Sequence, residues 1–228
     1  DETNDPLDPY DHGAPDHMSG EKKDLKWRVI CQGVEKLIEE QGLKEEDVLL
    51  WVDWQSIYQD DKEEKLKGVR SLIKYATLCD YMLVPTEEEG LSEYGGPVSM
   101  PGYGSRGWCR AAYFIFSLAA EMRGREAQLY GIERDGSLHQ YPKVVVDGAG
   151  DMPSQGALSN PADKALVQAL EDTMIEAYGK VIVELKCKAG AGGQVLLSAK
   201  MIRDCHVEAL CEAVNKYEVK ALLLDRNQ

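Results

Sequence analysis

The chain has 228 residues, 43% of them hydrophobic, and 40 acidic against 26 basic side chains give it a net charge of −14. That is enough apolar material for a real core, yet no stretch is long or apolar enough to span a bilayer, and the acidic N-terminus is no signal peptide. The negative balance repels nucleic acid and anionic membranes, so neither is expected as a partner.

Six cysteines stand singly at 31, 79, 109, 187, 205 and 211, with no CxxC pair to suggest zinc. Most fall within apolar patterns, as packed, reduced thiols of a cytoplasmic protein do. Residues 1–20 carry Asp, Pro, Gly and His without periodicity and read as an acidic flexible segment. Its acids and histidines (Asp5, Asp8, Asp11, His12, Asp16, His17) fit no common ligand spacing, so no metal is expected there. The chain opens without methionine and ends mid-pattern, as an excised piece of a longer protein would.

From Asp24 to Gln41 the apolar residues Trp27, Ile30, Cys31, Val34, Leu37 and Ile38 recur at helical spacing, with Gly42 as a stop. Val48-Leu49-Leu50-Trp51-Val52 is a continuous apolar run of the kind a buried parallel strand shows. Leu66, Val69, Leu72, Ile73 and Ala76 form a second helical stripe. Tyr81–Val84 predicts another buried strand, stopped by Pro85. A glycine-rich loop runs from Thr86 to Ser105, and loops of that length are usually functional or mobile.

Gly107 to Met122 is apolar nearly all round and predicts a buried central helix. Gln128–Ile132 and Lys143–Val146 predict further strands. Asn160-Pro161 is an N-cap and first-turn pair opening a helix with Leu166, Val167, Leu170, Met174 and Ala177 on one side. The alternation implies an open, mostly parallel α/β sheet with helices on both faces.

Several side chains are candidates for chemistry. Asp53, at the end of the first apolar run, can bind a ribose, orient a base or cap the following turn. Gln59 can contact a ligand or satisfy backbone groups. Arg106, heading the buried helix, can grip a phosphate or carboxylate, or pair with an acid such as Asp53. Trp108 can be core or, like Tyr103, a stacking platform. Cys109 lies in a first helical turn that would favour a thiolate, but no histidine is near it in sequence. His139 and His206 read as surface or packing residues. Gly148-Ala149-Gly150 is too short for a dinucleotide fingerprint.

Trp51, Val52, Asp53, Ile57, Gln59, Asp61, Glu64, Val69, Tyr75 and Ala76, followed by Arg106 and Trp108, resemble the hallmark blocks of the fungal heterokaryon-incompatibility (HET) domain. Trp108-Cys109 also resembles the Trp-Cys of Toll-receptor-like (TIR) domains, which share its fold. The likeness covers roughly residues 24 to 135. It implies a flavodoxin-like α/β domain (21–189) with a pocket between the loop after Asp53 and the Trp108 helix, and NAD or a related nucleotide as ligand or substrate. Catalytic TIR domains carry a Glu four residues after the Trp. That position is Ala112 here, which can neither accept charge nor donate a proton. Glu121, nine residues on and about 13 Å along the helix, cannot replace it. No catalytic residue is therefore assigned with assurance, and Asp53 is the candidate.

Val195-x-Leu197, then Ile202, Val207, Leu210 and Val214, then Leu222-x-Leu224-x-x-Asn227, resemble a ribonuclease-inhibitor-like leucine-rich repeat and the start of a second, over 194–228. Val195 and Leu222 are 27 residues apart, as are Leu197 and Leu224. Gly190-Ala191-Gly192-Gly193 reads as a linker. An ordinary βαβ unit of the first domain is the other reading of this stretch. Together the two resemblances imply a signalling or protein-interaction module that self-associates or recruits protein partners and recognises a ligand through its repeats. The alternative is an NAD(P)-cleaving or other nucleotide N-glycoside hydrolase using a non-standard carboxylate.

Overall fold

A computed structural model describes residues 25–58, 60–86, 90–141, 152–197 and 202–224. The fold is mixed α/β, and the chain divides into two compact units that interleave in sequence. Among the described residues no helix is long and apolar enough to cross a membrane. None of the six cysteines is in a disulfide. The acidic segment 1–20, Gln59, the strand expected at Lys143–Val146 and Gly148–Gly150 lie outside the described residues.

The first unit takes the described residues of Asp1–Tyr75, Tyr81–Gly95 and Gln128–Pro142. Helix α1 (Leu25–Gln41) turns Val29, Ile30 and Leu37 inward, as its apolar spacing demands. Strands β1 (Tyr81–Pro85) and β2 (Gln128–Ile132) pair in parallel, with Leu83 opposite Tyr130. Strand β3 (Leu138–Gln140) runs antiparallel to β2, giving the order β1-β2-β3. Val84, Ile132 and Leu91 are completely buried, and Leu91 is fixed further by its amide, which donates to Glu133 Oε1 at 3.1 Å. Burying each such side chain stabilises the unit by about 1.5–3 kcal/mol.

Between α1 and β1 the expected strand does not form. Val48–Val52 has no strand partner among the described residues, and Leu49 is 96% exposed and Leu50 48%. The run is β-prone in composition, but that preference is realised only against neighbouring strands. Its last residue instead caps a short helix, α2 (Asp53–Ser56). The helical stripe that follows is broken at Ser71 into α3 (Lys62–Arg70) and α4 (Leu72–Leu78), because the Ser71 hydroxyl donates to the Lys67 carbonyl and closes α3. Three contacts organise this stretch. Asp61 caps α3 by accepting the Glu64 amide at 2.9 Å. Ile57 lies against Gly68, where a Cβ would come within 2.9 Å of its Cγ2. Trp51 stacks on Tyr75.

The second unit takes Ala76–Asp80, Gly96–Ala127 and the described residues of Lys143–Gln228. Its centre is α5 (Gly107–Met122), which buries Ala111, Tyr113, Phe114, Ile115, Phe116, Leu118, Ala119 and Ala120. Helix α6 (Asp163–Ala189) packs along α5 and α7 (Val207–Lys216) packs on α6. Asn160 stands three residues before α6, with its Oδ1 accepting the Ala162 amide. The Gly190–Gly193 stretch, expected as a linker, forms the turn from α6 into β4 (Gln194–Leu196). Strand β4 pairs in parallel with β5 (Ala221–Leu223). The open, mostly parallel sheet of the expectation is thus a three-stranded mixed sheet and a separate parallel pair among the described residues.

Candidate functional site

Tyr103, Arg106 and Trp108 come together at the head of α5, within one unit. The turn from Pro101 to Ser105 is closed by the Gly104 amide on the Met100 carbonyl (2.8 Å) and the Arg106 amide on the Tyr103 carbonyl (3.2 Å). Arg106 is the N-cap residue and is exposed. A strap, Met152 to Leu158, lies across it. The Ala157 amide donates to the Ser105 carbonyl (2.7 Å), and the Gly107 amide donates to the Ala157 carbonyl (2.8 Å).

Two glycines make that crossing possible. A Cβ on Gly156 would stand 2.6 Å from the Gly107 backbone, and a Cβ on Gly107 would stand 2.7 Å from Leu158 Cδ2. Backbone must meet backbone here, so any side chain would force the strap away. The strap is braced from below by Glu171, only 4% exposed on α6. Its Oε2 accepts the Ser154 amide at 3.1 Å and its Oε1 accepts from Gln168 at 3.0 Å. A buried carboxylate persists only with such partners. Nothing in the sequence marks Glu171, since a glutamate on a long helix reads as solvated.

The aromatic and cationic side chains divide by role. The Trp108 indole N–H donates to Asp163 Oδ2 at 3.0 Å, tying α5 to the first residue of α6. Asn160 Nδ2 donates to the other oxygen of Asp163 at 3.3 Å. Arg110 donates through Nε to the Gly104 carbonyl, so its charge is spent on the turn. The Arg106 guanidinium has no hydrogen bond or ion pair among the described residues. Being next to the positive end of the α5 dipole, it makes this corner attractive to an anion such as a carboxylate or phosphate. Ala112 is half-buried one turn further on and offers no titratable group. Glu121 is occupied elsewhere, accepting the Tyr178 hydroxyl at 2.9 Å. Burial first, then the Glu121 charge, drives that phenol far above its ordinary titration range.

Asp53 belongs to the other unit. It opens α2, is exposed, and its carbonyl accepts the Ile57 amide at 3.2 Å.

A second surface lies at the β4–β5 pair. Val195 faces Leu222 and Leu196 faces Leu223, so the 27-residue spacing seen in the sequence is the strand register itself. Val195 and Leu197 point inward at 3% and 0% exposure, and β4 packs against the end of α6. Leu196 and Leu223 point outward at 57% and 53%. Helix α7 is held to α6 by Glu184, whose carboxylate takes both Lys216 Nζ and the Tyr217 hydroxyl at 2.6 Å. The preceding turn is pinned by His206, which is completely buried. The Arg203 amide donates to its Nδ1 at 2.9 Å, and its ring fills the space beside Gly179, where a Cβ would come within 2.4 Å of it. Burial pushes the imidazole pKa down, partly offset by the backbone carbonyls of Glu176 and Ile175.

Compared with family models, curated proteins and solved structures, the chain matches none.

Proposed function

We propose that this chain is a protein-interaction module of signalling type. In this reading an α/β part of HET/TIR kind and flavodoxin-like design self-associates or recruits protein partners, and a leucine-rich-repeat part recognises a ligand, in the cytoplasm. The observation that carries it is the parallel pairing of β4 and β5 at a 27-residue period, with Val195 and Leu197 buried and Leu196 and Leu223 on the open face. One such unit cannot cover its apolar face alone, which is the physical reason repeats stack. The HET/TIR kinship is supported by the hallmark residues themselves: Trp51 meets Tyr75, Asp61 caps at Glu64, and Ile57 seats on Gly68. Sedimentation of the full chain across a concentration range tests the self-association. A strict monomer at every concentration would remove it.

The exposed Arg106, whose guanidinium has no partner among the described residues, favours a second reading, a nucleotide ligand. In that case Arg106 would grip the phosphate of NAD or NAD(P), and Tyr103 or the face of Trp108 would stack on the base. The alanine at 112 weighs against turnover. Incubation with NAD is expected to release no nicotinamide. Release that disappears in Asp53→Ala would make the chain an NAD(P)-cleaving enzyme and overturn the first reading.

A further inference from the structure

The five residues Val48–Val52 carry no charge, and at its two ends the segment is extended, with φ, ψ of −91°, 124° at Val48 and −117°, 122° at Val52. Backbone bonds close only those ends: the Val48 amide on the Glu45 carbonyl, and Val52 with Ser56. Leu49 and Leu50 have no backbone partner among the described residues, and Leu49 is 96% exposed. The Trp51 indole N–H is buried without an acceptor among the described residues. An extended apolar segment with open amides and carbonyls is a strand without a sheet.

Among the described residues, the same unit presents a sheet edge without a strand. β1 is the outer strand of the order β1-β2-β3, and apart from its ladder with β2 no backbone bond among the described residues reaches Tyr81–Pro85. Five residues long, like the segment, it reads Tyr-Met-Leu-Val-Pro. It lacks the charges and bulges with which natural edges are blunted, save the terminal proline.

We propose that Val48–Val52 of one copy adds as a strand to the β1 edge of a second copy. The proposal rests on the self-association reading and locates it. A second copy is favoured over the chain's own β1 because the segment is anchored: Trp51 is stacked on Tyr75 and Val52 opens α2. Docking on a neighbour keeps both anchors. Each copy gives one segment and receives one, which two copies satisfy by reciprocal exchange and a longer array by head-to-tail addition. Every copy carries a net charge of −14, so like charges oppose the approach and salt strengthens it.

The test is sedimentation of the full chain at low and high salt, for the unaltered protein, Leu49→Asp, and the control Leu78→Asp. Leu78 is 70% exposed and lies in the other unit. Amide hydrogen exchange is followed over the same concentrations. The expected result is association that grows with concentration and salt and weakens about ten-fold or more in Leu49→Asp. It should be unchanged in Leu78→Asp, and the amides of Leu49–Trp51 and β1 should gain protection in step with it. Association that survives Leu49→Asp, or that falls equally in Leu78→Asp, overturns strand addition and leaves self-association standing elsewhere. Protection of Leu49–Trp51 that ignores concentration means the segment closes on its own β1, and also overturns it. A monomer throughout removes both.

Discussion

Trp51 lies flat on Tyr75, ring centroids 5.5 Å apart and planes inclined by 25°, although two helices separate them in sequence. This stack is what joins the open apolar run to α4, and an offset pair of this kind contributes beyond its buried area. In a double-mutant cycle with Trp51→Phe and Tyr75→Leu, urea unfolding should give a coupling of about 0.5–1.5 kcal/mol. Strict additivity would mean the rings merely coincide.

At the head of α5, the tryptophan and the arginine should part company. Trp108→Phe keeps the ring but leaves the half-buried Asp163 carboxylate short of a donor, which costs about 1–2 kcal/mol. Arg106→Ala removes an exposed side chain without a partner among the described residues and should stay within about 0.5 kcal/mol of the parent. Equal losses in denaturant midpoint would contradict these assignments.

The Gly107–Gly156 crossing should tolerate no side chain. Gly156→Ala places a methyl against the α5 backbone and is expected to destabilise by about 1–3 kcal/mol. Loosening of the strap should show as faster exchange of the Ala157 and Gly107 amides, which hold the bridge. Unchanged exchange would mean the strap is secured by something other than this contact.

Acid should weaken the protein through His206. Its folded pKa lies below the ordinary 6.5 because burial penalises the imidazolium, while Glu176 and its carbonyl pull the other way and Arg203 reinforces the fall. The unfolded chain therefore binds the proton first. Stability from this group is fully present above pH 6.5 and is lost as pH falls from there through the depressed folded value. Urea midpoints at descending pH should drop across that window, and His206→Gln should flatten the drop. A midpoint rising toward acid would reverse the assignment.

Much of the fold was legible where burial is complete on all sides. The α5 sequence is apolar nearly all round, and its limits at Gly107 and Met122 were readable directly; so were those of β2 at Gln128 and Ile132. The Val195–Leu222 spacing predicted a pairing whose register is 27. Val48–Val52 misled because composition records willingness to pair, whereas a strand needs a neighbour. At the site, Arg106 and Trp108 were visible as residue types. Glu171, Asp163 and the paired glycines were not, because their roles arise from contacts between segments far apart in sequence. His206 showed only as a lone histidine; the cavity made by Gly179 gives it its place.

Helix α6 begins at the aspartate that holds Trp108 and ends one turn of chain before β4. Twenty-seven residues make a rod about 40 Å long. The arginine corner and the leucine-faced strand pair are mounted at its opposite tips. Both surfaces therefore depend on the placement of this one helix.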